Sequence, residues 1–110
     1  MNQRIDQLTK LLKGENTEDF VLFALAKEYD KIGEHKRSIQ FFEQLISQNK
    51  EYTGAYYHLA LALRANGLEE KALETIHRGI DICQSTNKIH DKNELESLID
   101  PNSIDLFCYK

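Results

Sequence analysis

The sequence predicts an all-α solenoid: two full helical hairpins side by side, flanked by an N-terminal and a C-terminal capping helix. Three observations carry that expectation. Apolar positions superpose without a gap when the chain is shifted by 34 residues, a glycine recurs at the same place in each unit, and the spacing within each unit is helical. A repeat of this length marks stacked supersecondary units, each too small to bury its apolar face alone.

The first element, within 1–15, spans about Gln3 to Lys13. Ile5, Leu8, Leu11 and Leu12 lie 34 residues before Ile39, Phe42, Leu45 and Ile46, so this helix reads as the second half of a repeat that lacks its first. Gly14 offers a stop, and Thr17 or Asp19 a cap for the next helix.

The first full unit covers 19–52 and the second 53–86. Leu22, Leu25, Ala26 and Tyr29 keep the i, i+3, i+4, i+7 rule of one apolar helix face. They fall on Tyr56, Leu59, Ala60 and Leu63 in the second unit. Gly33 falls on Gly67, where a left-handed residue without a Cβ ends one helix and reverses the chain. Beyond it, Ser38, Ile39, Phe42, Leu45 and Ile46 fall on Ala72, Leu73, Ile76, Gly79 and Ile80. Small residues at 26, 38, 60 and 72 let helix backbones approach closely. Gly79 within a helix costs about 1 kcal/mol relative to Ala, which implies a tight contact there.

The remaining segment leaves the repeat pattern. Asp91 or Asn93 is a candidate cap for a helix over 90–100 with Leu95, Leu98 and Ile99 on one side, and Pro101 closes it. Stacked repeats need such a terminal element with a polar outer face. The tail, 101–110, shows no clear spacing. The whole, 1–110, reads as a single domain.

These positions resemble the tetratricopeptide repeat family. Its pattern is met by Leu22, Leu25-Ala26, Tyr29, Gly33, Ser38, Phe42 and Leu45, and more closely by Tyr56, Leu59-Ala60, Leu63, Gly67, Ala72, Ile76 and Gly79. Departures are Leu22 for an aromatic, Leu45 for a small residue, and Lys50 and Gln84 where the family often has proline. The resemblance implies a concave groove lined by the first helix of each unit. Carried over by position, its binding residues are Phe20, Phe23, Lys27 and Lys31, with Tyr57, His58, Leu61 and Arg64; Ala24 and Asp30 lie among them. Members that grip the carboxylate of chaperone tails need lysine and asparagine where this chain has Phe23, Lys27 and His58, so that ligand is disfavoured.

No constellation announces catalysis. GxxxxGK[ST], GxGxxG and GxSxG are absent, and His35, His58, His77 and His90 lack the spacing of a metal site. No cofactor is expected. Cys83 and Cys108 have no CxxC partner, and Cys83 near a helix C-terminus is a poor nucleophile. A net charge of −4 speaks against a nucleic-acid partner, and no apolar run reaches the ~20 residues of a membrane span. With 41% hydrophobic and 29% charged residues and no signal-peptide core, a cytoplasmic folded protein is expected. The function expected is a non-enzymatic interaction module for a peptide or helix of a partner protein. The alternative is a self-associating subunit, a weak homo-oligomer through an open end of the stack.

Overall fold

A computed structural model of the chain describes residues 2–99. It contains six α-helices and, among the described residues, no strand. They are α1 (Gln3–Thr9), α2 (Asp19–Lys31), α3 (His35–Gln48), α4 (Gly54–Ala65), α5 (Glu69–Thr86) and α6 (Ile89–Glu96). Helices α2 and α3 form hairpin 1, and α4 and α5 form hairpin 2. Each helix packs on its successor along the chain from α1 to α6, and α4 also touches both α2 and α6. The first helices of the hairpins therefore form a row, which α6 extends. The expected tail at 101–110 lies outside the described residues.

Both hairpins turn on the same hydrogen bonds. Gly33 and Gly67 have φ of 82° and 77°. Glu34 N donates to Tyr29 O at 2.9 Å, and Leu68 N donates to Leu63 O at 2.9 Å. That six-to-one bond closes a helix end whose carbonyls would otherwise lack partners. The end of α5 repeats the device with Asn87 at φ 62°, its successor Lys88 N donating to Cys83 O.

The main core joins the two hairpins and α6. It contains Leu22, Ala26, Phe42, Leu45, Tyr56, Leu59, Leu63, Ile76, Cys83, Leu95 and Ile99 among others. A smaller cluster of Ile5, Leu8, Val21 and Leu25 seats α1 against α2. Gly79 is fully packed: a Cβ there would lie 2.7 Å from Leu95 Cδ1 and 2.8 Å from Tyr56 Cβ. The tight contact implied by the sequence is therefore formed by α4 and α6 together. Burial raises the Cys83 thiol pKa above its ordinary value, with Asp91 adding to the effect.

The structure corrects four local expectations. Helix α1 stops at Thr9 instead of Lys13. Beyond it, Leu11 N and Leu12 N donate to carbonyls three residues back, and Lys13 N donates to Thr17 Oγ1 at 2.7 Å. The chain is thereby pulled off the α-helical ladder, and Leu11 and Leu12 are left exposed instead of continuing the buried face. Gly14 consequently opens a short 3-10 turn, Gly14–Asn16, and stops no helix.

Thr17 and Asp19 do not cap α2, whose N-cap is Glu18. The Asp19 carboxylate instead accepts from Gln48 Nε2 at 2.7 Å and Asn49 Nδ2 at 2.8 Å, tying the start of α2 to the end of α3. Asp91 likewise accepts from the Thr53 hydroxyl, pinning α6 beside the start of α4, and the N-cap of α6 is Lys88.

Candidate functional site

Helices position side chains by register, so the exposed face of α2 and α4 is set by the residues that hairpin packing leaves over. The middle of that face is aromatic. The Phe23 ring meets Tyr52 at 5.3 Å, His58 at 5.6 Å and Phe42 at 6.0 Å between centroids. His58 stacks on Phe42 with 8° between planes and lies nearly perpendicular to the Tyr57 ring at 5.4 Å. Edge-on and offset rings of this kind gain about 0.5–1.5 kcal/mol beyond their buried area. Lys27 Nζ lies over the Phe23 ring, 5.6 Å from its centroid.

Beside this cluster opens a cleft of about 580 Å³ lined by Arg4, Phe23, Ala24, Lys27, Glu28, Asp30, Lys31 and His58. Burial pushes the half-buried His58 imidazole below its ordinary value, and Lys27 pushes the same way; Asp30 and Glu94 oppose them. A neutral ring inside an aromatic nest is the result. Glu28 holds Arg4 at 3.5 Å and Lys31 at 3.6 Å. Lys27 has no carboxylate partner among the described residues.

Of the residues expected from sequence, the cleft gathers Phe23, Lys27, Lys31 and His58, and Tyr57 adjoins them through His58. Phe20 and Leu61 are exposed but do not line it. Arg64 is engaged elsewhere, its guanidinium bonded to both Glu69 carboxylate oxygens across the turn of hairpin 2 at 3.1 Å. Phe23 and Tyr57 are not spare to the packing either, since both lie half-buried against the main core. Sequence reasoning missed Arg4 and Glu28. Subtracting 34 from Ser38, which faces the inside of hairpin 1, would have found Arg4.

A second cleft, about 400 Å³, separates α3 from α5 over a floor of Tyr56, Leu59 and Leu63. Its charged walls, Glu43 and Glu74 facing Lys71 and Arg78, have balanced signs. His90, Asp91 and Glu94 bring ligand atoms within 4.8 Å of one another on α6, but Asp91 is already bonded to Thr53. No described helix is long and apolar enough to cross a membrane.

The tetratricopeptide repeat model matches residues 21–52. No curated protein matches the chain. Solved structures similar to it include two of tetratricopeptide repeat domain proteins. A crystal structure of a tetratricopeptide repeat domain protein from Salinibacter ruber is 29% identical with a TM-score of 0.68, covering 73% of this chain and 89% of that one. A solution NMR structure of a tetratricopeptide repeat domain protein from the same organism is 27% identical with a TM-score of 0.69, covering 77% and 85%. The repeat match, the paired glycine turns and these two folds agree: residues 21–52 form a tetratricopeptide repeat, and the chain has the all-α helical-repeat fold of tetratricopeptide repeat domain proteins.

Proposed function

We propose that this chain is a non-enzymatic module that holds a peptide or helix of a partner protein on the concave side of the row formed by α2, α4 and α6. The family supports a protein–protein interaction module in general. The observation that carries the finer reading is the 580 Å³ cleft, where an aromatic floor meets the unpaired cation of Lys27. Large apolar side chains with a polar rim are the composition of an interaction site. Phe20 and Leu61 extend the apolar surface beyond the cleft, Lys31 stands at its rim, and His58 forms its inner wall with Tyr57 packed behind it. Arg64 serves as a turn clasp in this reading.

Photo-crosslinking tests the proposal in living cells. A benzophenone amino acid at Lys27 or Tyr57 is expected to yield an adduct with a discrete protein, whereas the same group at Glu74 on the opposite side yields none. Equal labelling from both sides, or none from Lys27 and Tyr57, would refute it. Self-association has weaker support, because the exposed residues of α1 include Gln3, Arg4, Asp6 and Gln7, which offer polar and charged groups in place of apolar area. The tail, at 101–110, plays no part in the proposal.

A further inference from the structure

We propose that the cleft between α1 and α2 is an unfilled first-helix position of the repeat, and that it receives an amphipathic α-helix of a partner protein carrying carboxylates along one edge. The inference rests on the proposed use of this face and specifies what is bound there.

The repeat register defines the place. In hairpin 1, α2 lies against α3 and α4, and its Phe23 seats on Phe42, Tyr52 and His58. Moved back by 34 residues, the same seat is made by Leu8, Glu18 and Ala24. Leu8 and Ala24 belong together in the small core between α1 and α2. No described residue occupies the place that α2 holds one repeat later. Burial records the difference. Ser38 of α3 is wholly covered by its hairpin, while its counterpart on α1, Arg4, has a side chain 62% exposed and lines the cleft.

The seat selects its occupant by shape and charge. Ala24 stands where the next repeat has the bulk of His58, which leaves room for a large apolar side chain. Around it, the cations of Arg4, Lys27 and Lys31 outnumber the carboxylates of Glu28 and Asp30, in a chain whose net charge is −4. Asp30 is engaged by His35 at 3.0 Å, and Glu28 is shared between Arg4 and Lys31. An entering helix therefore meets a local positive field over an apolar seat, which favours acidic partners and steers their approach. Helices laid into such grooves present anchors at i, i+3 and i+4.

The probe is a stapled helix copying the 13 residues Asp19–Lys31, with Lys27→Glu and Lys31→Glu, titrated into the ¹⁵N-labelled full chain. Saturable amide shifts centred on Arg4, Ala24, Lys27 and His58 are expected, with a gain of peptide helicity. A basic version carrying Asp19→Lys, Glu28→Lys and Asp30→Lys should bind at least about tenfold more weakly, as should the acidic peptide on an Arg4→Gln, Lys27→Gln chain. Equal affinity of the two peptides, absence of shifts, or shifts centred between α3 and α5 would overturn the inference.

An analogue with a central proline that binds equally well without helicity would overturn the helix while leaving the face in use. Failure of the crosslinks from Tyr57 would instead remove the parent reading. Two other occupants give signatures that also overturn the proposal. Concentration-dependent shifts at Arg4 and Ala24 without peptide would assign the seat to a second copy. A nitroxide on Cys108, chosen because Cys83 is buried, that broadens those residues in the free chain would assign it to the chain's own C-terminal segment.

Discussion

Hairpin 2 sets Tyr56 against Gly79, whereas hairpin 1 has Leu22 and Leu45 at the same two repeat positions, all four of them buried. A large residue on the first helix is matched by none on the second, or two middle-sized residues share the space. The hairpins reach one geometry by exchanging volume across their interface, as close packing requires. Tyr56 gains more than bulk, because its hydroxyl donates to Lys50 O at 2.8 Å at the junction of the hairpins.

The turns differ in the same manner. Asp30 meets His35 in hairpin 1, and 34 residues later Arg64 meets Glu69, with the acid moved to the other side of the turn. Backbone geometry is shared; side-chain chemistry is interchangeable as long as each pair remains complementary.

The comparison can be broken most strongly at Leu45. Leu45→Gly should destabilise the chain by about 4 kcal/mol in urea unfolding, combining a core cavity with a helix-interior glycine. Gly79→Leu should cost about 3 kcal/mol by overpacking Tyr56 and Leu95. Tyr56→Leu in the same chain should recover part of that loss, and a strictly additive double mutant would show that the two positions exchange no volume.

Ser38→Ala acts in the opposite direction. The buried Ser38 hydroxyl has no hydrogen-bond partner among the described residues, and Ala72 is its counterpart. A gain of about 1 kcal/mol is expected, and a loss would reveal a partner for that oxygen.

A pH series sharpens the contrast between Ala24 and His58. The folded state favours a neutral His58, so the stability it contributes is present above the ordinary histidine value of about 6.5 and is lost as pH falls through the depressed one. Between about pH 7 and pH 5 the native chain should lose more thermal midpoint than His58→Gln. Equal losses would mean that the ring is solvated. The smallest effect belongs to the turn clasps: Asp30→Arg with His35→Glu, which writes the pair of hairpin 2 into hairpin 1, should change stability by less than about 0.5 kcal/mol.

Much of the architecture was legible because helical spacing and the 34-residue shift are carried by buried residues. The turns at Gly33 and Gly67 and the crowding at Gly79 follow from backbone needs that few residues meet. Other features depend on partners distant in sequence or on competing local bonds. The early end of α1 comes from Thr17 capturing Lys13 N, a bond that helical periodicity does not reveal. The left-handed end of α5 falls on Asn87, a residue type that tolerates this conformation without requiring it. In the candidate site, sequence indicated Phe23, Lys27, Lys31 and His58 together, but did not reveal that Phe23 also packs against the core. Its exposure depends on how closely α4 approaches α2. Arg64 was placed on the binding face by its repeat position, which does not register that Glu69 sits five positions away across the turn.

The first helices lie in one phase, so that Phe23 of hairpin 1 rests on His58 of hairpin 2 and Gly79 presses on α6. Proton–proton Overhauser contacts in the full chain measure both directly. Strong cross-peaks from the Phe23 ring to the His58 ring and from Gly79 Hα to a Leu95 methyl are predicted. Absence of both, with the intrahairpin contacts intact, would contradict that shared phase.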